Sequence, residues 1–138
     1  MRLWHSDLLQ VLPTKLLIQQ RVDCTKILVS LKSKDDLNDT LVNRILNFPL
    51  DHFKWYCKLV IMEMYKRHLF NTGAEKRRME SLLECDKVED PGIVPFTSEY
   101  DSWFDYRYLF QCIIDLQEQY DCDMITDDDW RKIRLNIH

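Results

Sequence analysis

The chain has 138 residues, enough for one domain around a single core, and carries 19 Lys and Arg against 23 Asp and Glu, a formal net charge of −4. Two glycines and four prolines leave little room for hairpin turns, and the remaining composition favours helix. No run of about twenty apolar residues occurs, which argues against a membrane span, and the early charges without a following apolar run argue against a secretory signal.

The opening stretch "MRLWHSDLLQVLP" places Leu3, Trp4, Leu8, Leu9 and Leu12 close together. Such apolar density predicts a terminus tied down on the core rather than frayed. Pro13 and Thr14 read as a helix start, with Thr14 as a cap or Pro13 near the first position. From Lys15 to about Leu31, apolar residues recur at helical spacing through Leu17, Cys24, Leu28 and Leu31. The polar run "KSKDD" breaks that pattern. A shorter helix follows from Leu37 to about Leu46.

Pro49 then opens the strongest helical signal, with Phe53, Tyr56, Cys57, Val60, Ile61 and Met64 on one stripe. "NTG" is expected to end this helix, Gly73 serving as a left-handed cap. A charged helix over 74–84 and a proline-containing loop come next. A further amphipathic helix is expected from Asp101 to about Tyr120, and a short one in "ITDDDWRKIRL", capped by Thr126 with aspartates against the helix dipole. The expected fold is all-α, with residues 1–138 forming a single compact domain.

Charge is unevenly distributed. Residues 1–72 hold 11 Lys and Arg against 7 Asp and Glu, whereas 73–138 hold 8 against 16. The first half can present a basic face to phosphates, while the acidic second half must face away from them or toward a protein partner. The five cysteines are an odd number without any C-x-x-C, which reads as free thiols of a reducing cytoplasm. His5, His52, His68 and His138 are too far apart to suggest a metal site, and no cofactor-binding motif occurs.

On the first long helix, Lys15, Gln19, Val22 and Lys26 form a stripe away from Leu17 and Leu28, with Arg21 near its boundary. This polar face is expected to lie near a docked terminus bearing Met1, Arg2 and His5. An α-amine titrates at about 7.7–8.0, and neighbouring arginines lower that value. A partly neutral amine held in place is a Schiff-base nucleophile for an aldehyde or a sugar C1′.

"MRLWHSDLLQVLPTKLLIQQR" and "NDTLVNRILNFPLDHFKWYCKLVIMEMYKRHLF" resemble the pyrimidine dimer DNA glycosylase family of the endonuclease V type. The resemblance covers residues 1 to about 70 and thins over 73–138. It implies a compact helical fold and an N-terminal α-amine that attacks C1′ of a damaged nucleotide, followed by β-elimination. Carried onto this sequence, the amine is that of Met1, because Arg2 is too large for ready removal of the initiator methionine. Arg2 and Arg21 match the family's arginines, and Lys15 stands where a histidine occurs. The family's catalytic glutamate position is occupied by Val22, with Asp23 beside it.

The resulting expectation is a glycosylase/AP lyase acting on damaged or abasic DNA, of reduced activity. Met1, Arg2, Arg21 and Asp23 are its catalytic candidates, and His5, Lys15, Gln19 and Lys26 its substrate-binding ones. Trp4, Trp55 and Tyr56 are candidates to stack on a displaced base. The alternative is a non-catalytic binding module on the same scaffold, contacting a nucleotide, a nucleic acid or a protein.

Overall fold

The computed structural model describes residues 2–33, 40–70, 72–83 and 104–136. Within them, a 3-10 turn at Ser6–Leu8 precedes six helices: α1 (Thr14–Ser33), α2 (Thr40–Leu46), α3 (Leu50–Lys66), α4 (Gly73–Leu82), α5 (Tyr106–Asp121) and α6 (Asp127–Leu135). No strand occurs among the described residues. The all-α expectation is met.

α1 packs on α3 and α4, α2 on α3, and α5 on α6. The apolar stripe of α3 that the sequence displays, Phe53 through Met64, is buried along its length and forms the centre of the core. Leu17, Cys24, Ile27 and Leu28 of α1 face it. The opening segment is docked: Leu3, Trp4, Leu8, Leu9 and Leu12 are all at most 5% exposed. Each such side chain contributes roughly 1.5–3 kcal/mol on leaving water, which offsets the entropy of ordering the arm.

Helix boundaries differ from the sequence expectation at the end of α3 and at the starts of α1, α4 and α5. α3 ends at Lys66 rather than at "NTG", because His68 takes the left-handed conformation (φ 56°) and the Leu69 N–H bonds back to the Met64 carbonyl at 3.0 Å. Gly73 instead begins α4. Pro13 supplies the carbonyl that accepts the Leu17 N–H, so Thr14 is the first helical residue of α1. α5 starts at Tyr106, capped by the Asp105 carboxylate on the Tyr108 N–H. Asp101, together with the expected start of α2 at 37–39, lies outside the described residues.

Thr126 caps α6 as expected, accepting the Asp129 N–H at 3.2 Å. The aspartates around it are occupied locally, Asp127 by the Tyr120 hydroxyl and Asp128 by Arg131. Tyr120 stacks on Trp130 to join α5 to α6. Of the cysteines, Cys24, Cys57 and Cys112 are buried free thiols and Cys122 is an exposed one; Cys85 lies outside the described residues. No described helix is long and apolar enough to cross a membrane.

Candidate active site

The docked arm is held by a small buried network. Gln20 of α1, 1% exposed, accepts the Trp4 N–H on Oε1 at 2.7 Å and donates from Nε2 to the Arg2 carbonyl at 2.8 Å. The Tyr56 hydroxyl of α3 lies 2.6 Å from the Trp4 carbonyl and 3.0 Å from Gln20 Oε1. The Tyr108 hydroxyl of α5 donates to the Leu3 carbonyl. Three helices therefore grip residues 2–4 by their backbone, as edge-strand-like groups with no ladder of their own require.

A second clamp holds the end of the arm. The Arg67 guanidinium donates to the carbonyls of Leu9, Gln10 and Leu12 and pairs with Glu63 at 2.8 Å. Asn136 reaches the Asp7 carbonyl from the end of α6.

Beside the gripped residues lies an open cleft of about 730 Å³. Arg2 and Trp4 of the arm, Leu16, Gln19, Gln20, Asp23 and Lys26 of α1, and Gln119 of α5 line it. The Arg2 guanidinium stacks over the Trp4 ring at 5.1 Å and stands 2.5 Å from Asp115 Oδ2 of α5. Asp23 is 7% exposed and accepts a hydrogen bond from Gln19 Nε2 at 3.1 Å. On α1 the cleft-lining positions 16, 19, 20, 23 and 26 form one face centred near Asp23, and Val22 lies at its flank.

The structure thus gathers Arg2, Gln19, Asp23 and Lys26 around one cleft. Lys15 is exposed on α1 but does not line it. Arg21 shares a face with Thr25, whose hydroxyl contacts Met79 of α4, and it too stays out of the cleft. The Arg21 Nε is buried without a hydrogen-bond partner among the described residues. His5 is buried, its Nδ1 accepts the Asp7 N–H at 3.1 Å, and its ring packs edge-on against Phe104. Met1 lies outside the described residues.

Among the aromatic candidates, Trp4 lines the cleft, Trp55 is half-buried, and Tyr56 is wholly buried with its hydroxyl committed to the arm. Burial pushes the Tyr56 phenol, the Tyr108 phenol and the Cys112 thiol above their ordinary values, which keeps all three protonated as structural groups. Gln20, Asp115 and Gln119 escaped the sequence reading. The recurrence of Gln111, Asp115 and Gln119 at four-residue spacing on an amphipathic helix was the available signal for two of them.

No curated protein and no solved structure matches the chain. A family model described as pyrimidine dimer DNA glycosylase matches residues 1–77, the segment that contains the gripped arm, the whole of α1 and α3, and every α1 residue of the cleft. With more than half of its length matched, the chain belongs to the pyrimidine dimer DNA glycosylase family.

Proposed function

We propose that this chain acts on DNA at the Arg2 cleft as an AP lyase, with the α-amine of Met1 as nucleophile and Asp23 in place of the family's glutamate. The observation that carries the reading is the grip on residues 2–4, which fixes the residue next to Met1 at the rim of a cleft that also holds a buried carboxylate and Lys26. A fixed nucleophile beside its general base avoids the entropy of bringing them together.

In the lyase step the neutral amine adds to the C1′ aldehyde of an abasic sugar, and loss of water leaves an iminium. The Asp23 carboxylate takes the C2′ proton, and the released electron pair breaks the C3′–O bond and expels the phosphate. Water then hydrolyses the unsaturated imine and returns the amine. Glycosylase action makes a further demand, since the amine must displace the base from C1′ while the departing base gains a proton. Val22, an apolar side chain where the family has a carboxylate, weakens that step more than the lyase step, and this is the basis for expecting reduced activity.

Lys26 and Arg2 suit the phosphates of a displaced nucleotide, whereas Trp4, buried beneath the Arg2 guanidinium, backs the cleft. Val22 also favours a second reading, a non-catalytic module that binds nucleic acid in the same cleft.

Borohydride reduction in the presence of abasic DNA and, separately, of cyclobutane-dimer DNA tests both. An adduct mapped to the Met1 α-amine is the expected result with abasic DNA, and Asp23→Asn should keep that adduct while slowing strand cleavage without borohydride at least tenfold. DNA binding without any adduct overturns the lyase reading in favour of the binding module.

A further inference from the structure

The outward face of α5 carries an apolar stripe. The buried side chains of this helix are Cys112 and Leu116. Phe110 stands two residues before Cys112 and Ile114 two residues after it, each about 200° round the helix at about 100° per residue. Phe110 is 58% exposed, Ile114 50%, and Tyr106, one turn before Phe110, 64%. A helix at the surface ordinarily turns polar residues to that side. Two rings and an isoleucine exposed to this degree leave roughly 300 Å² of apolar surface in one strip, a size at which exposed patches are often functional.

Charges line one edge of the stripe in a fixed order. Arg107 lies toward the start of the helix and Glu118 toward its end, eleven residues and close to three full turns apart, which sets both on the same edge. Asp121 follows a turn after Glu118. All three are exposed, and none makes an ion pair or a side-chain hydrogen bond among the described residues. Two such helices laid face to face in parallel set like charges at the same level. Laid antiparallel about a two-fold axis level with residues 112 and 113, each Arg107 faces Glu118 of the other helix, with Asp121 a turn away. Phe110 of each then meets Ile114 of the other.

We propose that a second copy of this chain docks on the Tyr106–Phe110–Ile114 face, α5 packing antiparallel on α5 in a two-fold dimer. The proposal is independent of the DNA reading, and α5 lies beyond the matched residues 1–77. Gln119, which lines the Arg2 cleft, is nine residues from Phe110 and half a turn round, so the pairing leaves that wall of the cleft uncovered. The two stripes with their polar edges bury on the order of 1,000 Å² in total, the lower end for specific interfaces. The dimer is accordingly transient, with a dissociation constant on the order of 10–100 μM. The stripe supplies the affinity and the charges select the orientation, since exposed ion pairs contribute little by themselves.

The test is sedimentation velocity of the full-length chain from about 2 to about 400 μM, which brackets that constant. The weight-average mass should climb from 16.8 kDa toward twice that value. Phe110→Glu, at an exposed position, should raise the dissociation constant at least tenfold. Arg107→Glu brings like charges together across the axis and should raise it about fivefold. Arg107→Glu/Glu118→Arg rebuilds both pairs with their signs exchanged and should recover most of that loss. Both exchanged charges suit the helix dipole, so the variant keeps its fold.

A chain that stays monomeric at the highest concentration overturns the proposal and leaves the stripe to a different protein. A dimer untouched by Phe110→Glu sits on another surface and overturns it as well. A double variant that dimerises no more tightly than Arg107→Glu alone overturns the antiparallel arrangement.

Discussion

Replacing Gln20 by alanine tests the idea that the arm is pinned by one buried amide. The side chain is 1% exposed and makes three contacts at 3.0 Å or less, to Trp4, Arg2 and Tyr56. Alanine leaves the Trp4 N–H buried without an acceptor, at a cost of about 1–3 kcal/mol for the unsatisfied group. The cavity adds to this, while the Tyr56 hydroxyl keeps its 2.6 Å bond to the Trp4 carbonyl and limits the loss.

A net destabilisation of about 2–4 kcal/mol follows, a thirtyfold to nearly thousandfold change in the folding equilibrium. Gln20→Glu should be at least as damaging, since a carboxylate oxygen then faces the Arg2 carbonyl that Nε2 now serves. Urea denaturation gives the midpoint and slope, and limited proteolysis under native conditions reports release of residues 2–12. A Gln20→Ala midpoint equivalent to less than about 0.5 kcal/mol, with no new cleavage in the arm, would refute the reasoning.

Arg67→Ala strips four hydrogen bonds, three of them to arm carbonyls, and should cost about 2–4 kcal/mol in the same assay. Arg67→Lys should rescue little, because one ammonium cannot reproduce the planar fork. Leu3→Ala, at a site with no exposure, should cost about 2–5 kcal/mol; a smaller loss would mean that the arm is not part of the cooperative core.

Burial raises the Cys57, Cys112 and Tyr108 values, so above about pH 8.5 the folded chain binds more protons than the unfolded one. Stability should be fully present below that pH and fall as pH rises through the thiol and phenol ranges; urea midpoints flat from pH 7.5 to 10.5 would contradict this. Among Cys24, Cys57, Cys112 and Cys122, peptide mapping after brief treatment with a thiol reagent should find only Cys122 labelled.

Periodicity made the helices legible from the chain alone. The stripe of α3 and the Leu17–Leu28 face of α1 had to be buried somewhere, because a 3.6-residue repeat places those side chains on one side whatever they pack against. The Thr126 cap was equally readable, since the hydroxyl and the N–H it serves are three residues apart. The apolar arm was legible as a segment to be docked.

What it docks on was not. The grip depends on Gln20, Tyr56 and Tyr108, separated from the residues they hold by 16 to 105 positions, and local pattern carries no information about such pairings. The same holds for the ends of α3, where His68 accepts a left-handed backbone that glycine was expected to supply. Tertiary packing also decided which of the candidate residues share a cleft. A helix face is defined by the sequence, but the rotation of α1 against α3 and α4 is set by how their side chains interlock. That rotation turns Asp23 toward Arg2 and Arg21 toward α4.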